Sequence, residues 1–116
     1  NLTVYGGNDE DMAFAANAVI QSNGGICAVR NQKVLSLIPL PMAGLLSNLS
    51  IEDLYQEMKQ LLLHAEKMGF VHQNLLTFLT LMTLAVSPEV KLSDLGLIDV
   101  INKKFLPLVA SIKENN

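Results

Sequence analysis

One cysteine, two histidines and few charges are all this chain carries of the residue types that most often do chemistry, and each scarcity removes a class of function. With Cys27 alone, no intramolecular disulfide can form, and neither can a metal site built on several cysteines. Cys27 stands in the apolar run Ile26-Cys27-Ala28-Val29, where a thiol behaves as a small core hydrophobe. Its solitude fits a reducing, cytoplasmic compartment. Eight Lys and Arg against eleven Asp and Glu leave a net charge of −3, and Lys103-Lys104 is the only adjacent basic pair. That balance excludes a nucleic-acid surface and an anionic membrane surface, since both call for clustered cations.

Charge of either sign is short. Charged residues make up 16% of the chain and hydrophobic ones 50%, where an ordinary domain carries roughly 25% charged residues. The shortfall predicts that part of the surface is covered by something else. A membrane is not the cover. Met68 to Pro88 lacks acids, lysines and arginines, but Gln73, Asn74, Thr77, Thr80 and Thr83 interrupt it. Its dense apolar part, Leu75 to Val86, falls short of the about 20 residues of a spanning helix. No signal-peptide pattern is present, and the chain starts at Asn1 rather than methionine, as expected of a trimmed piece.

Catalytic patterns are missing too. His64-Ala65-Glu66 matches the His-x-Glu of zinc-dependent base deaminases, but those need a Pro-Cys-x-x-Cys to complete the metal site, and Cys27 stands alone. No His-Glu-x-x-His or Gly-x-Ser-x-Gly occurs, and His64 and His72 read as polar residues at a helix edge and in a loop. Gly6-Gly7-Asn8 has the wrong spacing for a phosphate-binding loop, and Asp9, Glu10 and Asp11 would repel a phosphate. The expectation is therefore no catalytic residue, no metal ligand and no cofactor-binding residue of the chain's own.

What is present is a regular alternation of elements, and 116 residues suffice for one core, so residues 1–116 are expected to form a single domain. Leu2 to Tyr5 reads as a short strand, broken by Gly6-Gly7. Asn8 is an N-cap with three acids in the first turn, and Asn8 and Asp11 stand at capping-box spacing. Met12, Ala15, Ala16, Val19 and Ile20 then mark one buried helix face, which Asn23-Gly24-Gly25 ends. Phe14 lies off that face between alanines and suggests a second packing surface. Ile26–Arg30 and Lys33–Ile38 pair as a hairpin across Asn31-Gln32, a type I′ turn that puts Gln32 at positive φ.

Ser50 caps a second helix running to about Met68, with Asp53 in place for a capping box and Gly69 as the stop. Its stripe is Ile51, Leu54, Tyr55, Met58, Leu61, Leu62 and Ala65. A helical piece at Leu75–Leu79, a doubly buried strand at Leu81–Val86 and a last strand at Leu97–Val100 complete the reading. The order is β-α-β-β-α-β-β: an α+β layer fold, its sheet mostly antiparallel, with two main helices packed on one side.

No charge appears between Lys33 and Glu52, a tract that contains Leu37-Ile38-Pro39-Leu40-Pro41-Met42-Ala43-Gly44-Leu45-Leu46-Ser47. It reads as a two-sided apolar strand, a Pro-x-Pro corner and a small-residue turn. It resembles the Leu-Pro-Leu-Pro-(Ile/Met)-Ala-Gly-Leu-Met-Ser segment near the C-terminus of adenine deaminases. Gly7-Asn8-Asp9-Glu10-Asp11-Met12 and the stretch from Pro88 to Val100 carry the same resemblance, in the same order. The chain departs from the family at Asn23, where glycine is usual, at Asn74-Leu75, where Asn-Pro is usual, and at Ala85, where proline is usual.

The resemblance implies a C-terminal accessory domain of a metal-dependent amidohydrolase that converts adenine and water to hypoxanthine and ammonia in purine salvage. It implies that the metal, manganese or iron, sits in an N-terminal (β/α)₈ barrel and activates the attacking water there. The barrel is then the principal partner, and homo-oligomers are expected. Asp9 and Phe14 are the candidate interdomain contacts, Asp9 because the first-turn backbone does not need its side chain. The competing reading is a non-catalytic ligand-binding or oligomerisation module, for which only Asn8 to Asp11 offers polar groups.

Overall fold

A computed structural model describes residues 2–71, 74–82 and 84–109. The chain divides into two compact units, residues 1–71 and 72–116. The class is α+β, with three helices and two antiparallel sheets among the described residues, one sheet of two strands and one of three.

The first unit consists of α1 (Asp9–Gln21), β1 (Gly25–Arg30), β2 (Lys33–Pro39) and α2 (Ile51–Lys67). Asn8 caps α1, accepting the Asp11 N–H on its side chain, as the sequence predicts. At the other end the Gly24 N–H reaches back to the Val19 carbonyl at 3.0 Å. Asn23 takes φ +58°, a left-handed position where the family's usual glycine would carry no penalty. Gly24 is required by contact. A Cβ there would lie 2.9 Å from both Gly44 Cα and the Leu40 carbonyl oxygen, so the Pro-x-Pro corner can close on the end of α1 only over a bare backbone.

β1 and β2 pair with Ile26 opposite Ile38 and Ala28 opposite Ser36, and a bulge follows between Ala28 and Val29. Ala28 and Ile38 meet Leu61 of α2 in the core, and Ile26, Leu54, Met58 and Met68 pack around them. Both α1 and α2 pack on this hairpin. Beyond β2, Met42 and Leu46 bridge across a tight turn in which Ala43 and Gly44 have φ of +58° and +70°. The predicted strand, corner and small-residue turn are all present. Ser50 caps α2 through the Asp53 N–H and donates its hydroxyl to the Asp53 carboxylate at 2.8 Å, the capping-box variant expected.

The second unit contains α3 (Leu75–Met82), β3 (Val90–Ser93), β4 (Gly96–Asp99) and β5 (Lys104–Leu106), its sheet ordered β3-β4-β5. Asn74 opens α3, its carbonyl accepting the Phe78 N–H. Leu75 therefore occupies the first helical position, where a family proline would fit.

Three sequence expectations are corrected. Leu2–Tyr5 forms no ladder with β1 or β2, whose sheet has two strands only, so the segment is not a strand. Leu81–Val86 is not a strand either. α3 continues through Met82, and Leu84 to Ser87 turn back on themselves through a Ser87 N–H to Leu84 carbonyl bond of 2.9 Å, while Thr83 lies outside the described residues. An unbroken apolar run fits a helix as well as a buried strand, and periodicity alone does not separate them. The strand at Leu97–Val100 exists as β4, but it is central rather than last.

Candidate functional site

Asp11 is the best-connected polar side chain in the first unit. Its N–H is taken by the Asn8 side chain, whose Nδ2 also donates to Asp11 Oδ2 at 3.4 Å, and the same carboxylate reaches the hairpin. Oδ2 accepts the Asn31 N–H at 2.9 Å, and Oδ1 accepts the Gln32 N–H at 2.6 Å. Asn31 and Gln32 have φ of +53° and +55°, the type I′ turn expected. Asp11 is thus less a helix cap than a clamp on the hairpin, a correction with a clear cause. The two turn amides have no ladder partner, and one carboxylate can accept both. The Gln32 N–H, helped by the Asn31 N–H, Asn8 and Arg30, holds the Asp11 carboxyl below its usual range despite some desolvation.

Asp9, the first residue of α1, is exposed, and the clamp does not use it. Phe14 is 38% exposed on the same helix. These two candidate contacts share an element but not a cluster: no bond or cavity joins them. Glu10 is exposed beside them.

A larger apolar surface lies on α2, and the stripe read from the sequence divides there. Leu54, Met58, Leu61 and Ala65 face the core, while Ile51, Tyr55 and Leu62 are 83%, 64% and 42% exposed. The reason is geometric. The seven residues span about 120° of the helix at 100° per residue. A two-stranded hairpin with strands about 4.8 Å apart is too narrow to cover all of it. Tyr55, Met58, Lys59, Leu62, Leu63 and Glu66 line a shallow groove along this side, apolar except for one cation and one anion. The width of the stripe is visible in the sequence, whereas the part of it that the hairpin covers is not.

Cys27 is half-buried in β1, and that burial pushes its thiol up. In the second unit the Lys91 side chain is buried and donates Nζ to the Pro88 and Val90 carbonyls at 2.8 and 3.3 Å. Asp99 accepts the Asn102 side-chain and backbone N–H groups at 2.8 and 2.9 Å, which hold its carboxyl below the usual range. His64 is half-buried on α2, and His72 lies outside the described residues. Among the described residues, no three His, Cys, Asp or Glu side chains converge on a position that could hold a metal ion. No helix among them is long and apolar enough to cross a membrane.

The comparisons with known proteins follow the same segments. The family described as the adenine deaminase C-terminal domain matches residues 1–104. An adenine deaminase of Kosmotoga olearia is 40% identical over 108 residues, 93% of this chain and 19% of the relative. Adenine deaminase 2 of Shouchella clausii is 39% identical over 113 residues, 97% of this chain and 20% of the relative. An adenine deaminase of Clostridium botulinum is 41% identical over 108 residues, 93% of this chain and 18% of the relative. The chain spans about a fifth of the length of these curated relatives. With its corner at Pro39–Ser47, its capped α1 and its β3–β4 hairpin all inside the matched region, the chain belongs to the adenine deaminase C-terminal domain family.

Proposed function

We propose that this chain is an accessory C-terminal domain of an adenine deaminase, a metal-dependent hydrolase that releases ammonia from adenine in cytoplasmic purine salvage. The observation that carries the reading is the family match across residues 1–104 together with coverage of one fifth of each relative. The described residues supply no metal ligand set. The manganese or iron implied by the resemblance belongs, on this reading, to a catalytic barrel outside these residues. Asp9 and Phe14 are contacts to that barrel, being exposed on one helix and not used by the Asp11 clamp.

The test is exchange of parts. The Kosmotoga olearia enzyme is prepared intact, without its matched segment, and with that segment replaced by this chain. Adenine turnover is expected to fall at least tenfold on deletion and to recover at least partly in the replacement. A deletion as active as the intact enzyme, or a folded replacement with no recovery, would overturn the proposal. So would adenine turnover by the 116-residue chain alone above a buffer blank.

A further inference from the structure

The face of α2 that the hairpin leaves open is an apolar feature of the first unit without an assigned role. We propose that this face, centred on Ile51, Tyr55 and Leu62, is where the remaining four fifths of an adenine deaminase polypeptide packs. The inference rests on the accessory-domain reading and adds to it the surface through which the domain works.

Ile51, Tyr55, Met58 and Leu62 follow one another at i, i+4, i+7 and i+11, so they share one side of α2. Three of the four are open, and Met58 joins them to the core. Phe14 on α1 is a smaller and more isolated candidate, at 38% exposed. The aromatic anchor of the α2 face, Tyr55, sits mid-patch with Lys59 and Glu66 at the groove's edge. An apolar centre carrying an aromatic side chain within a polar rim is the usual anatomy of a protein contact.

Charge and area choose among occupants. α2 carries Glu52, Asp53, Glu57 and Glu66 against Lys59 and Lys67, an acidic excess that disfavours an anionic membrane or nucleic acid. A second copy of the chain is disfavoured by size. At about 200 Å² for a fully open large side chain, the exposed parts of Ile51, Tyr55, Leu62 and Leu63 present roughly 450 Å². Association between freely diffusing partners usually takes about 800 Å² from each side. Covalent connection raises the local concentration of a partner to roughly millimolar. Contacts between domains of one chain accordingly bury as little as about 600 Å² in total. A patch of this size suits a tethered partner, and the relatives have four fifths of their length outside the matched segment.

The experiment compares hydroxyl-radical labelling of Tyr55 and Leu62 in the 116-residue chain and in the Kosmotoga olearia replacement enzyme. Labelling is expected to be at least threefold slower in the replacement, and unchanged in the isolated chain over a hundredfold range of concentration. Tyr55→Asp with Leu62→Asp should leave the melting temperature of the isolated chain nearly unaltered and lower that of the replacement enzyme. Where the fusion does not fold, the chain is titrated with the truncated relative. Saturable protection of Tyr55 at up to millimolar concentrations of the relative, the range that tethering supplies, supports the proposal and none overturns it. An active replacement in which Tyr55 labels as fast as in the isolated chain keeps the proposed function and overturns this surface. Protection at Tyr55 without adenine turnover keeps the surface and overturns the function. Protection that grows with concentration of the isolated chain assigns the face to a second copy and overturns the proposal.

Discussion

The two units hold themselves together in different ways. The first buries Ala28, Ile38, Leu61 and Ala65, drawn from a hairpin and a helix far apart in sequence. In the second, Leu75 is the buried hydrophobic residue among those described, and its strands are linked by short polar turns. Ser93 donates its hydroxyl to the Gly96 carbonyl and accepts the Leu95 N–H in one turn, and Asp99 fixes Asn102 in the other. One unit depends on non-local burial, the other on bonds that close within a few residues. A domain can thus carry 50% hydrophobic residues and still bury few of them.

The largest test of this contrast is Ile38→Ala. Ile38 is wholly buried between β1 and α2, so truncation should cost about 2–5 kcal/mol. Urea unfolding followed by hydrogen exchange at β1 and β2 would measure it, and a loss below 1 kcal/mol would mean that the first unit lacks a determining core. Next in size is Asn8→Ala, which removes the α1 cap and should cost about 1 kcal/mol by thermal melting. Asp9→Asn serves as its control, with an expected change near zero.

The smallest effect appears only in acid, and it sharpens the comparison by appearing in both units. Asp11 and Asp99 have folded carboxyls held below the ordinary value of 3.8, the first mainly by the Gln32 N–H and the second mainly by the Asn102 side chain. Their contribution is present above the unfolded pKa and is lost as the pH falls through the folded one. Amide exchange at Gln32 and Asn102, corrected for its intrinsic pH dependence, should therefore lose protection below about pH 4. Asp11→Asn should abolish that acid step at Gln32 and leave the one at Asn102. A step that persists at Gln32 would mean that another group clamps the turn.

Much of the first unit was legible because its signals are local. Asn8, Ser50 and Gly69 mark helix ends through backbone donors and left-handed positions within a few residues. The Asn31-Gln32 turn followed from the spacing of two apolar runs. The second unit is less legible because its elements are short and its apolar run carries no period: Leu81–Val86 reads as a strand, and β3 and β5, of four and three residues, are too short to show a pattern. Of the candidate contacts, Asp9 and Phe14 could be named from sequence, whereas the open face of α2 could not.

The sequence by itself determined where α1, α2 and the first hairpin lie, because capping, turn geometry and helical period act through near neighbours. Through its three motif segments it also determined membership of the adenine deaminase C-terminal domain family. Tertiary structure alone decided that Asp11 grips a turn 20 residues away, and that the apolar stripe of α2 is split into a buried and an open side. Both outcomes depend on which backbone comes to lie against the helix, and how wide it is, and no local pattern contains that.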